Sequence, residues 1–237
     1  MRNYIILNGV NSNTITGLLI STLPPITKPK IRTQVEEIDG RDGDIVTKLG
    51  YSAYEKEFEI GLYGDYDVDK VITYFNSSGT ITFSNEPDMY YNYEILDQID
   101  FEKLLRFKTA TVKLHVQPFK YSLLNTEKVF TITDEEEIAI RNNGDFYSRP
   151  KITITGSGTI NLSLNEEELF VIELGETETT ITLDINSLNA YDPSTNQYLN
   201  RLVTGDYSNF NLIVGKNTIS WTGTITEIKI ENYSRWL

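Results

Sequence analysis

The 237-residue sequence has no cysteine, one histidine, two methionines and two tryptophans. Without cysteine there is no disulfide framework, thiol nucleophile or thiolate ligand. With His115 as the lone histidine, the usual Cys/His zinc sites cannot be assembled from one chain. No Gly-x-x-x-x-Gly-Lys-Ser/Thr loop is present to cradle phosphates, and no Gly-x-Ser-x-Gly elbow to present a nucleophilic serine. The opening residues MRNYIILNGVNS hold a four-residue apolar run, short of a signal-peptide core. No apolar stretch reaches bilayer-spanning length. Positive charge is also scarce: 21 Lys and Arg stand against 34 Asp and Glu, a net charge of −13. Divided after Asn125, the two parts carry −4 and −9. Neither offers the clustered basic surface that phosphate neutralisation needs, so sequence-specific nucleic-acid binding is not expected.

What is abundant is Thr, Ile, Tyr and Phe in alternating runs, the pattern of a mainly β protein. Tyr4–Leu7 reads as a strand entering an Asn8-Gly9 turn, with Ile15–Ile20 as its partner or neighbour. Leu23-Pro24-Pro25 forbids regular pairing, and residues 26–50 read as a long extended excursion with weak strand signals at Ile31–Val35 and Ile45–Leu49. One helix is expected, with Val68, Val71, Ile72 and Phe75 on one face, Asp67 as its cap and Gly79 as its end. A strand is expected over Leu104–Val116. Its apolar positions are odd at Leu105 and Phe107 but even from Ala110 to Val116, so a β-bulge or bend is expected near Lys108–Thr109. From Thr126 onward, short strands and frequent turns suggest a sandwich of two antiparallel sheets. Gly156-Ser157-Gly158 reads as a hairpin turn, and Ser187–Asp206 as the longest loop. The expected domains are 1–125 and 126–237.

Four groups of residues were weighed for chemistry. Asp39-Gly40-Arg41-Asp42-Gly43-Asp44 gathers carboxylates and glycines, but lacks EF-hand spacing and its terminal Glu, and reads as a solvated turn. The acidic runs Asp134–Glu137 and Glu166–Glu168 read as solvated loops. His115 reads as a structural or interface histidine. Tyr91 and Tyr93 share one face of a strand and Tyr90 takes the other, as half-buried sheet surface or as interface anchors. No catalytic, cofactor-binding or metal-binding residue is expected.

Several segments together resemble the distal tail protein (Dit) family of long-tailed, non-contractile phages of Gram-positive hosts. They are Asn8-Gly9, Gly17-Leu18 to Leu23-Pro24-Pro25, Ile38–Asp44, Leu49-Gly50-Tyr51, Phe83–Asp88 and Phe101 to Tyr121. Asn143-Gly144, Ser148-Arg149-Pro150, Gly156-Ser157-Gly158 and Gly205-Asp206 extend the likeness over nearly the whole chain. The resemblance implies an N-terminal split-barrel-like β domain with one α-helix that forms a hexameric ring, and a C-terminal galectin-like β-sandwich. It also implies a non-enzymatic hub at the virion tail tip, assembled in the host cytoplasm. The hub would join the tail-tube protein above to a tail-associated hub protein below, with a channel for DNA passage, and would serve host attachment. A receptor-binding protein is a further implied partner, gripped only through a loop such as Ser187–Asp206. Candidate inter-subunit residues are Tyr90, Tyr91, Tyr93, Arg106, Phe107 and His115, together with the 26–50 excursion. The alternative is a carbohydrate-binding module of the C-terminal sandwich, stacking sugars on Tyr191, Tyr198, Tyr207 or Trp221. The galectin sugar signature itself is missing, because the C-terminal half has no histidine and Trp221 is followed by Thr-Gly-Thr.

Overall fold

A computed structural model describes residues 2–75, 78–124 and 127–237. Two compact units emerge, Met1–Lys120 with Leu237, and Tyr121–Trp236. The expected boundary between Asn125 and Thr126 lies outside the described residues. No described helix is long and apolar enough to cross a membrane.

The first unit is a seven-stranded sheet that curls into a half-barrel. Its strands are β1 (Ile5–Leu7), β2 (Val10–Asn11), β3 (Leu18–Ile20), β6 (Tyr54–Leu62), β7 (Ser78–Phe83), β8 (Met89–Glu94) and β9 (Thr109–Ser122), in the order β2-β1-β7-β8-β9-β6-β3. Between β3 and β6 the chain forms a separate two-stranded ribbon, β4 (Ile31–Glu37) and β5 (Asp44–Tyr51). Asn8-Gly9 turns β1 into β2, not into the Ile15–Ile20 segment; the end of that segment, β3, pairs with β6 instead. Alternation decides the interior: Phe58 and Ile60 of β6 and Ala110, Val112, Leu114 and Val116 of β9 all turn inward.

Helix α1 (Val68–Tyr74) is capped by the Asp67 carboxylate, which accepts the Lys70 amide at 3.2 Å. Its buried face is Val71 and Tyr74, continued by Phe75, whereas Ile72 is exposed. The helix ends before Gly79, which belongs to β7. A second helix, α2 (Phe101–Phe107), replaces the first part of the expected Leu104–Val116 strand. The Asp100 carboxylate caps it through the Lys103 amide at 2.7 Å, and Lys108 closes it in the left-handed region at φ 61°. The change of apolar phase at Lys108–Thr109 is therefore a helix-to-strand junction, and the ladder with β6 is regular from Thr109 to Val116.

The second unit contains β10 (Glu127–Thr131), β11 (Glu137–Asn142), β12 (Lys151–Leu164), β13 (Glu167–Glu173), β14 (Thr179–Asp184), β15 (Asn189–Tyr191), β16 (Val203–Gly205) and β17 (Gly215–Glu231). Two long strands build both layers. The first part of β12 and the last part of β17 join β14, β15 and β10; the other parts of β12 and β17 join β13, β16 and β11. Gly156-Ser157-Gly158 is accordingly not a hairpin turn but the corner at which one continuous strand changes layer. Glycine is required there because the two strands press together. A Cβ at Gly156 would lie 2.2 Å from the Thr224 carbonyl oxygen, and one at Gly223 would lie 2.3 Å from that of Thr159. The expected long loop Ser187–Asp206 holds β15, β16 and a 3-10 turn at Asn200–Leu202. Each unit has its own apolar core, and among the described residues no buried one belongs to both.

Candidate functional site

The feature of the first unit that folding alone leaves unexplained is the β4–β5 ribbon. Every residue of β4 is exposed, and β5 has only Ile45 and Tyr51 half-buried. Val35 and Val46 face each other across the ladder, yet both are more than half exposed, at 52% and 56%. Ile31, Ile38 and Leu49 are exposed as well. The ribbon pairs with no other strand among the described residues, so both of its outer edges keep unpaired backbone groups, a template for another strand. An isolated two-stranded hairpin is marginal in water. Its charge is also segregated: Lys28, Lys30, Arg32 and Lys48 lie toward the root, whereas Glu36, Glu37, Asp39, Asp42 and Asp44 crowd the tip around Arg41.

The root of the ribbon is anchored by a polar cluster inside the half-barrel. Lys56, on β6, is 2% exposed and donates to the Pro25 carbonyl at 3.1 Å. Its ammonium lies 4.9 Å from the Tyr91 ring centre, 5.6 Å from Tyr54 and 5.7 Å from Phe83, an aromatic surround that offsets part of its desolvation. Burial lowers the Lys56 pKa, Glu86 draws it back up, and Lys120 adds to the lowering. Glu86 accepts from Lys120 at 2.6 Å and from the Tyr91 hydroxyl at 2.7 Å. Burial alone would raise the Glu86 pKa; the bonds from Lys120 and Tyr91 outweigh it and leave the carboxyl below its ordinary range. Burial, aided by Glu86, pushes the Tyr54 phenol up to about 12. Asn85 donates to the Pro24 carbonyl at 3.1 Å, and the Ser52 amide to that of Lys30 at 2.8 Å. The Tyr51 and Phe119 rings meet edge to face at 5.7 Å. Both legs of the ribbon thus leave from fixed points.

The sequence-derived candidates separate on burial. Tyr91 and Tyr93 are each 2% exposed and belong to the core of the first unit, so their rings offer a partner almost no surface. Tyr90, on the opposite face, is half-buried. Arg106 and Phe107 lie on α2 rather than on a strand; Phe107 is 62% exposed, with the Arg106 guanidinium 5.4 Å from its ring centre. His115 is half-buried opposite Glu55, in a small cleft shared with Leu96 and Asp97. In the second unit Trp221 is core at 4% exposure. Tyr207 packs edge-on against Phe170 at 4.8 Å, with its hydroxyl buried. Only Tyr191 and Tyr198 of the stacking candidates line a common cleft. The residues that sequence reasoning missed are Lys56, Glu86 and Lys120. A lysine at an inward position of the Tyr54–Leu62 alternation was the available signal. Among the described residues no three His, Cys, Asp or Glu side chains converge to hold a metal ion.

No family model matches the sequence, and no curated protein does. Solved structures do. The chain is similar to the Dit protein of phage SPP1, described as a paradigm of the hub adsorption apparatus in phages that infect Gram-positive hosts, at a TM-score of 0.69 and 16% identity, with both chains covered in full. It is also similar to a chain of the phage P2 baseplate in its activated conformation with Ca, at 0.57 and 10% identity over 98% of this chain and 97% of that one. The same baseplate with Sr matches at 0.57 and 11% identity over the same shares. From the curled sheet to the cornered sandwich, the chain has the distal-tail-protein (Dit) fold over its whole length.

Proposed function

We infer that this protein is a structural, non-enzymatic hub of a siphophage tail tip or baseplate. Copies of the first unit close a hexameric ring that joins the tail tube to the host-recognition apparatus and leaves a central channel for DNA. The observation that carries this reading is the β4–β5 ribbon: a fixed root, open edges, exposed Val35 and Val46, and no core of its own. Such a ribbon gains stability when a neighbouring copy covers it. A basic root and an acidic tip suit a head-to-tail contact, the interface type that closes rings. Phe107 and Arg106, exposed on α2, and the half-buried Tyr90 are further contributors. The net charge of −13 suits a conduit for DNA, because like charge discourages sticking. The fold shared with SPP1 Dit and the P2 baseplate chain supports the same role, as does the absence of any catalytic constellation in the sequence.

Native mass spectrometry of the full chain, alone and with the tail-tube protein, tests the ring. The expected particle is six copies of the 27.1 kDa chain. A monomer under both conditions overturns the proposal.

A further inference from the structure

We propose that the second unit carries a subsite for a neutral saccharide in the cleft between β14 and the Tyr191–Tyr198 turn. The cleft measures about 260 Å³ and is lined by Asp184, Ser187, Asn189, Tyr191, Asn196 and Tyr198. That volume falls just below the range of drug-sized pockets, a scale suited to one or two sugar rings. Tyr191 and Tyr198 are antiparallel bridge partners, which sends both side chains to the same face of the ladder. Tyr198 is 68% exposed, so folding does not account for its ring. An aromatic face is electron-rich and receives the polarised C–H face of a pyranose.

The polar groups around the rings fit hydroxyls. Among the described residues, no hydrogen bond within the chain engages the hydroxyls of Tyr191, Tyr198 and Ser187 or the side-chain amide of Asn196. Together they offer donors and acceptors, as a polyol requires. The scaffold beneath them is fully tied. Asp184 accepts the Asn186 and Ser187 amides at 3.1 and 3.2 Å, and its other oxygen lies 3.6 Å from the Lys151 ammonium. Asp192 accepts the Ser194 amide and hydroxyl, both at 2.7 Å, and the Asn196 amide returns to the Asp192 carbonyl at 2.8 Å. The Leu199 amide donates to Ala190, whose own amide meets Asn200. A site held this way loses little freedom on binding.

The lining also chooses the ligand class. Its one charged side chain, Asp184, is already matched by Lys151 and two backbone amides, and no cationic side chain lines the cleft to hold a phosphorylated or other anionic glycan. No aliphatic side chain lines it, which leaves little to hold an apolar peptide residue. A neutral, hydroxyl-rich ring satisfies both conditions.

Saturation-transfer NMR on the full chain tests the site. The probes are the N-acetylglucosamine trisaccharide, maltotriose and galactobiose, each at about 5 mM, above the dissociation constants expected of one shallow subsite. Transfer to the C–H protons of at least one sugar is expected. Tyr198→Ala should weaken that sugar about tenfold. Tyr191→Phe, which keeps the ring and removes only a hydroxyl, should weaken it about threefold. Tyr147→Ala, at an exposed tyrosine outside the cleft, should leave it unchanged. Absence of transfer from all three probes overturns the proposal, as does binding that is equal in wild type, Tyr198→Ala and Tyr191→Phe. Neither outcome bears on ring formation, which this assay does not read.

Discussion

A buried charge must be matched or it destabilises the fold, and Glu86 shows how the match is made here. Its carboxylate holds Lys120 and the Tyr91 hydroxyl, faces the caged Lys56, and has a folded-state pKa below its ordinary 4.5. In the unfolded chain the group binds its proton more readily, so between the depressed value and about 4.5 the unfolded state carries more protons. The stabilisation is complete above that window and is lost as pH falls through the folded pKa. Glu86→Gln should lower the stability of the first unit by about 2 kcal/mol at pH 7, with the deficit vanishing toward pH values below the folded pKa. Urea melts followed by far-UV circular dichroism from neutral to acid pH measure this. A deficit that stays constant across the series would remove the carboxylate from the account. The same cluster explains why Tyr91 was ambiguous in the sequence. Its ring contributes to the core and its hydroxyl to a buried network, and alternation alone marks a face without saying whether the chain itself or a partner covers it.

At the scale of elements, periodicity was informative wherever one element met one core. The inward face of β6 and β9 and the cap of α1 follow directly from residue pattern. Helix α2 is no shorter than α1, but it escaped because Leu104 is its one buried residue while Leu105 and Phe107 are exposed, so no helical stripe stands out against alternation. The break at Lys108 was visible, but its cause was not; Asp100 as a cap followed by Phe-Glu-Lys-Leu-Leu-Arg was the missed signal. At Gly156-Ser157-Gly158 the glycines imitate a hairpin. The buried positions Ile152 and Ile154 before them, and Ile160, Leu162 and Leu164 after them, are all even, the preserved phase of one strand carried through a corner. The ribbon was legible as an excursion with weak strand signals at Ile31–Val35 and Ile45–Leu49, which fall within β4 and β5; their pairing with each other was not, since its apolar residues face no core. It also carries the sharpest element-scale expectation. Val46→Asp places a charge on an exposed strand, so the stability of the isolated chain should move by less than about 0.5 kcal/mol. The proposed ring should nonetheless fall to monomer in analytical ultracentrifugation. A full-sized particle from Val46→Asp would relocate the interface away from β4–β5.

For the whole molecule, the decisive fact is that it has two cores rather than one. Phe58, Phe83, Tyr91 and Leu114 belong to the first; Phe170, Phe210, Ile152 and Ile228 belong to the second. Each core is closed by strands of its own unit, so losing contacts in one removes no contact from the other, and mutational effects should add instead of coupling. The sequence supplies a selective probe, because both tryptophans, Trp221 and Trp236, lie in the second unit. Phe210 is fully buried and packs 5.7 Å from Phe170. Truncation to alanine leaves a cavity that costs about 3–5 kcal/mol. Phe210→Ala should therefore shift the tryptophan-fluorescence transition strongly toward lower denaturant, while amide exchange in β6 and β9 stays at wild-type rates. Phe58→Ala, 1% exposed in the other core, should do the reverse. Parallel loss of both signals in either variant would show a single cooperative unit. Separable units are what the two proposals call for, because the ribbon lies in the first unit and the tyrosine cleft in the second.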